Sequence, residues 1–171
     1  SVFLDDAFAN QKGMEYISAR HESAAVMMAV GYYKLSQKPG VALVTTGPGG
    51  ANAVGGVVEA WVDSVPVLII SGQVESNFLD KNIRYFGVQG LNVLPLIEPI
   101  TKYSKTIIDP YSIQYYLEKA LYYALEGRPG PVWLDIPFDI QSAEILETKK
   151  LKVFNPPKNK EPVVGEIDKN I

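Results

Sequence analysis

The chain contains no cysteine and a single histidine. The first absence excludes a disulfide scaffold and any cysteine-ligated metal, and it fits a reducing, cytoplasmic setting. The second leaves no histidine-rich metal site and no Cys/His dyad. A Ser-His-Asp triad would have to use His21, and no Gly-x-Ser-x-Gly elbow is present. No apolar run reaches the roughly 18 residues that a membrane span needs. No charged n-region followed by an apolar h-region opens the chain, so no signal peptide is visible. No cluster of lysine and arginine stands out, and the net charge is −3, so nucleic acid is not an expected partner.

What is present is ordinary globular material. The apolar fraction is 47% and the charged fraction 20% over 171 residues. That composition supports about one domain with its own core. The first residue is Ser1, and Val2, Phe3, Leu4, Ala7 and Phe8 fall at helical spacing. This start reads as part of a longer protein.

Along the chain, strand-like and helix-like periods alternate. Met14–Ala19 is strand-like, and residues 23–37 are helical. Residues 41–46 (VALVTT) form an apolar strand ending in Gly47-Pro48-Gly49-Gly50, and residues 51–63 are helical again. VPVLIIS, from Val65, is a second buried strand, and a polar loop at residues 75–84 follows it. Residues 88–97 suggest a short helix ended by Pro99, and residues 102–107 an edge strand. Residues 110–126 form an amphipathic helix with Pro110 near its first turn. After the turn at residues 127–131 comes a last strand at residues 132–136. Short apolar strands alternating with helices imply an α/β fold: a doubly wound, mostly parallel sheet with helices on both faces. NPPKNKEPV, residues 155–163, is rich in proline and lysine and reads as a linker. The expected division is a domain over residues 1–141 and a linker over 142–171.

In open parallel sheets, ligands gather at the carboxyl ends of the strands. His21-Glu22, the segment from Gly47 to Asn52, and Gly72-Gln73 each follow an expected strand, which places them on one rim. TTGPGGAN is not a dinucleotide loop, because Gly47 and Gly49 are followed by Asn52 where the fingerprint needs glycine. Pro48 also removes a backbone donor that a phosphate could use. The turn reads either as a tight connection that needs glycine or as a rigid shelf against a flat ring. In the second reading Pro48 gives an apolar contact and Asn52 a hydrogen bond. Glu22 opens a helix (ESAAVMMAV) that carries no further charge over two turns and reads as buried nearly all round. A carboxylate in a first turn is favoured by the helix dipole alone. One partly desolvated at a sheet rim is also a candidate for proton traffic. Asp63 and Asp135 read as structural ends of a helix and a strand.

RHESAAVMMAVGYYKLSQKPGVALVTTGPGGANAVGGVVEAWVDSVPVLIISGQ resembles the pyrimidine-binding (PYR) domain of thiamine-diphosphate enzymes, closest to the acetolactate synthase group. GRPGPVWLDIP is similar to the segment that closes that domain. The resemblance runs from about residue 2 to residue 141. It implies thiamine diphosphate as cofactor and a 2-keto acid as substrate, in lyase or transferase chemistry. Glu22 takes the place of the family glutamate that hydrogen-bonds the cofactor's pyrimidine nitrogen. Gly47, Pro48, Gly49 and Asn52 form the shelf for the ring. Gln89 matches a glutamine of the active-site loop, with His21 at the edge of the pocket and Phe138 on the substrate path. The resemblance places Mg²⁺ and the diphosphate in a separate diphosphate-binding domain of a second subunit, with no metal held by this chain. It also implies a homodimer or tetramer through the PYR domain, with the helices at residues 23–35 and 51–63 as the contact. The chain alone is then expected to be inactive. Val88 and Gly90 beside Gln89, and Phe138 where the family often has lysine, depart from acetolactate synthases. They leave a related carboligase, decarboxylase or C–C hydrolase open. Two other readings stand beside this one: a stand-alone PYR subunit of a two-chain keto-acid decarboxylase, and a non-catalytic α/β module in which Glu22 only caps a helix.

Overall fold

A computed structural model describes residues 2–79 and 87–157. Helix α1 (Val2–Asn10) leads through an irregular segment to helix α2 (Glu22–Ser36) and strand β1 (Gly40–Val44). Then come helix α3 (Pro48–Val62), strand β2 (Val67–Gln73), the short helix α4 (Leu94–Ile97) and strand β3 (Tyr103–Thr106). Helix α5 (Ile113–Leu125), strand β4 (Val132–Pro137) and a final turn of helix, α6 (Phe138–Gln141), complete the order.

The four strands form one parallel sheet in the order β1-β2-β4-β3. The continuous apolar text of β2 is explained by its place: β1 and β4 flank it, and all seven of its residues are buried. Alternate side chains divide between two cores. Ala42, Val44, Val67, Ile69 and Trp133 meet Val26, Val30, Ala53 and Val57 of α2 and α3 on one face. Leu68, Ile70, Val132, Leu134 and Ile136 meet Ala120 and Ala124 of α5 on the other. The sheet is therefore covered by helices on both faces, as the alternation of periods implied.

The local boundaries have local causes. His21 caps α2, its Nδ1 accepting from the Ser23 N–H at 3.2 Å. Gln37 ends that helix in the left-handed region, its N–H donating to the Tyr33 carbonyl at 2.8 Å. Helix α3 starts three residues before the expected Ala51, because Pro48 has the φ that suits a first helical position. Gly56 lets α2 and α3 touch: a Cβ there would stand 2.6 Å from Val26 Cβ and 2.8 Å from the Ser23 carbonyl oxygen.

Three expectations are corrected. Met14–Ala19 is not a strand, and Met14, Tyr16 and Ile17 are exposed. Strands are stabilised by cross-strand neighbours, and among the described residues none lies beside this segment. Residues 88–97 are not one helix but a 3₁₀ turn at Val88–Gly90 followed by α4. The Asn92 side chain accepts from the Leu94 N–H at 3.2 Å and so restarts the helix there. Nor is α2 buried all round: Val26, Ala29 and Val30 face the core, while Met27, Met28, Tyr32 and Leu35 are exposed. Strand β4, last in sequence, lies between β2 and β3, and β3 is the edge strand that residues 102–107 implied. The polar loop expected at 75–84 falls partly, and the linker at 155–163 mostly, outside the described residues. Before that point the chain returns to α5. The Lys152 ammonium pairs with Asp109 at 2.8 Å, and the Phe154 ring sits against Tyr115 and Tyr122 at 5.6 and 5.5 Å.

Candidate functional site

The site is built where β1 hands over to α3. Gly47 has φ 61°, a conformation that strains any residue with a side chain. Its open side is filled by the neighbouring segment, and a Cβ there would lie 2.9 Å from Gln89 Cα. Pro48 follows, exposed, at the start of α3. At Gly49 a Cβ would stand 2.6 Å from Thr45 Cγ2 and 3.2 Å from Glu22 Oε1. The Glu22 carboxylate therefore rests directly on the Gly49 backbone. Its other oxygen, Oε2, accepts from Asn52 Nδ2 at 3.1 Å.

Glu22 is the first residue of α2 and Asn52 lies in the first turns of α3, so two helix N-termini meet at this carboxylate. The Ser23 hydroxyl donates to the Asn52 carbonyl and ties the same two helices together one residue further on. His21 is exposed and spends its Nδ1 on the cap of α2. Thus Glu22, Gly47, Gly49, Asn52 and the backbone of Gln89 are brought together, with Pro48 at the mouth. Phe138 is placed elsewhere. It opens α6 at the carboxyl end of β4, with its ring 5.0 Å from that of Phe3. Of the three segments expected on the rim, Gly72-Gln73 are the last residues of β2 itself, and His21-Glu22 follow no strand. Asp63 caps the C-terminus of α3 and pairs with Lys34 at 2.6 Å.

Behind the rim runs a polar line. Asp135, within β4, accepts from the Ser71 hydroxyl at 2.6 Å, Gln73 Nε2 at 3.2 Å and the Thr106 hydroxyl at 3.3 Å. Trp133 Nε1 in turn donates to Ser71 Oγ at 2.7 Å. Asp135 is 1% exposed. Burial pushes its carboxyl up to about 6, against the opposing pull of the bonds from Ser71, Gln73 and Thr106. Gln73 also donates to the Leu91 carbonyl at 3.2 Å, and the Thr46 hydroxyl reaches the Gln89 carbonyl at 2.6 Å and Gln73 Oε1 at 3.1 Å. Sequence reasoning placed Gln73 on the rim but gave it no partner, passed over Thr46 and Ser71, and took Asp135 as a strand end. The available signal was parity: Ser71 and Gln73 in IISGQ, like Asp135 in VWLDIP, are polar at alternate positions of otherwise apolar strands.

The residues fit a flat, nitrogen-bearing ring better than a phosphate or a metal. The rim offers a carboxylate acceptor, an amide beside it and an apolar proline, with no cation among them. Among the described residues no three His, Asp or Glu side chains gather as metal ligands, and no helix is long and apolar enough to cross a membrane.

Known proteins with this text point the same way. The model of the family described as thiamine pyrophosphate enzyme, N-terminal TPP binding domain, matches residues 3–84. The acetolactate synthase large subunit of Lactococcus lactis subsp. lactis is 42% identical over 144 residues, covering 84% of this chain and 24% of that protein. The acetolactate synthase large subunit of Haemophilus influenzae is 41% identical over 160 residues, covering 90% of this chain and 27% of that protein. For the acetolactate synthase isozyme 3 large subunit of Escherichia coli K12 the identity is 38% over 135 residues, with shares of 79% and 23%. The chain spans about a quarter of the length of these curated relatives. Family model and relatives agree: the chain is similar, over most of its length, to the N-terminal TPP-binding part of acetolactate synthase-like thiamine pyrophosphate enzymes.

Proposed function

We propose that this chain supplies the pyrimidine-binding half of a thiamine-diphosphate site that acts on 2-keto acids, in carboligase or decarboxylase (transferase or lyase) chemistry. The observation that carries the reading is the seating of Glu22. Asn52 holds Oε2 at 3.1 Å, which leaves Oε1 over the Gly49 backbone as the acceptor for a ring N–H. When bound, thiamine diphosphate supplies the electron sink for decarboxylation. Glu22 would hold and return a proton at Oε1, Asn52 fixes the rotamer of Glu22, and Pro48 would offer the ring an apolar face. Gln89 and His21 stand on the substrate side, with Phe138 on the approach at the end of β4.

In this reading Mg²⁺ and the diphosphate fall to a diphosphate-binding domain of a second subunit, so residues 1–141 alone turn nothing over. Residues 142–171 then lead toward the next domain. A homodimer or tetramer is supported by the exposed apolar residues Met27, Val58, Trp61 and Val62 on α2 and α3, which a second subunit would cover. The setting proposed is cytoplasmic.

The test is Glu22→Gln in the full gene product with thiamine diphosphate, Mg²⁺ and pyruvate. Proton transfer by a placed side chain is worth about 10²- to 10⁴-fold, so turnover should drop by that factor with the fold intact. Turnover within a few-fold of the parent would sink the assignment of Glu22.

A further inference from the structure

The candidate site does not use Asp135, yet Asp135 is tied to it by an unbroken chain of hydrogen bonds. A carboxylate accepts only, and Asp135 spends Oδ1 on Ser71 and Oδ2 on Gln73 and Thr106. This fixes which way the Gln73 amide points. With one Nε2 proton on Asp135, the second falls to the Leu91 carbonyl, and Oε1 turns to the Val74 N–H at 2.9 Å. A flipped amide would set oxygen against carboxylate and leave the Leu91 carbonyl without its donor. The Thr46 proton then meets the Gln89 carbonyl at 2.6 Å. Two carbonyls, those of Gln89 and Leu91 on either side of the buried Gly90, are thus held, one from the turn after β1 and one from β2.

We propose that Asp135 is a positioning residue: through the Gln73 amide, which donates to the Leu91 carbonyl, it fixes the segment from Val88 to Leu91, and so the place of Gln89 against the Gly47 turn. A role in the core alone explains this poorly. Buried ionic groups contribute little net stability, and apolar replacements of like volume are often neutral or better. The consequence for turnover rests on the reading of Gln89 as a substrate-side residue. The positional claim does not.

The test compares ¹⁵N-labelled full chains by NMR: Asp135→Asn, Gln73→Met, which removes the middle of the relay but keeps the carboxyl, and Leu134→Val, which trims the core on the opposite face of β4. The relay predicts that amide resonances of Gln89, Gly90 and Leu91 shift, with lower heteronuclear NOEs, in Asp135→Asn. It predicts the same in Gln73→Met, which decides the matter if the first variant does not fold, and neither change in Leu134→Val. Resonances that stay in place in the folded relay variants, or move equally in Leu134→Val, overturn it. In the full gene product, Asp135→Asn should lower kcat about tenfold or more through misplacement, with cofactor KM little changed. If Glu22→Gln leaves turnover intact while the segment moves, the cofactor reading fails and the relay stands. If Glu22→Gln abolishes turnover and the segment does not move, the relay alone fails.

Discussion

Replacing Asp135 with asparagine also isolates the only fully buried charge among the described residues, and its effect on stability can be worked out before it is measured. In the folded chain this carboxyl sits at about 6, against 3.8 ordinarily. A raised folded value means that the native state holds the proton more tightly than the unfolded one. The associated stability is therefore complete below about pH 4 and is lost as pH rises through about 6. Roughly two units correspond to about 3 kcal/mol between those limits. Asparagine has no such dependence. It adds a constant cost instead, since its NH₂ must face the donor of either Ser71 or Gln73, worth about 1–3 kcal/mol. Urea unfolding of both chains at several pH values from 4.5 to 7.5 separates the two effects, because all other carboxylates cancel in the difference. The parent should gain about 2 kcal/mol over the variant on acidification across that range. Parallel profiles would refute the account, and a parent that gains as pH rises would mean that the three hydrogen bonds outweigh desolvation.

Gly56→Ala should cost about 1–3 kcal/mol in urea unfolding, since the new methyl meets Val26 and the Ser23 backbone; an unchanged midpoint would mean that the two helices part freely. Phe154→Ala removes two ring contacts, each worth about 0.5–1.5 kcal/mol, and should both destabilise the chain and speed protease cleavage between residues 142 and 157. Equal cleavage rates would show that the return to α5 does not depend on that ring. The Lys34–Asp63 pair is half exposed on both sides, so a double-mutant cycle should give a small coupling that shrinks with salt; a coupling that survives molar salt would contradict this. Asn52→Ala should reduce turnover in the full gene product and leave folding nearly untouched, because its amide is exposed and its partner is Glu22. Unaltered kcat would remove Asn52 from the site.

Helices α2, α3 and α5 and strands β1 to β4 were legible because each buries a face against the layer beside it, and burial imposes a period on the text. Met14–Ala19 carries the composition of a strand, but a strand depends on a neighbour that its own letters do not specify. Chain order could not place β4 inside the sheet, because parallel strands need not be neighbours in sequence to be neighbours in space. At the site, Glu22 stood out as a lone charge on an apolar helix, and the glycines around Pro48 marked a backbone with something close against it. That His21 spends its Nδ1 as a helix cap was not legible, since histidine is an uncommon N-cap. The polar line from Thr106 to Thr46 was hidden for a different reason: it is assembled from three strands and the turn after β1, and each contributes only one or two polar letters to it.

The place of β4 sets a timetable for the chain's manufacture. Strands β2 and β3 leave the ribosome in succession but do not touch; each must wait for residues 132–137 to come between them. Until then Ser71 and Gln73 have no Asp135 some 60 residues downstream to receive their protons, and the groove that Trp133 fills stands open. Such long separations make closure slow and late. During that interval the nascent chain carries VLII, apolar and uncharged, with one side unpaired, which is the kind of segment that recruits strands from other chains. Folding is therefore decided by its last strand, and the quality control this protein requires is concentrated in the time taken to translate from Gln73 to Pro137.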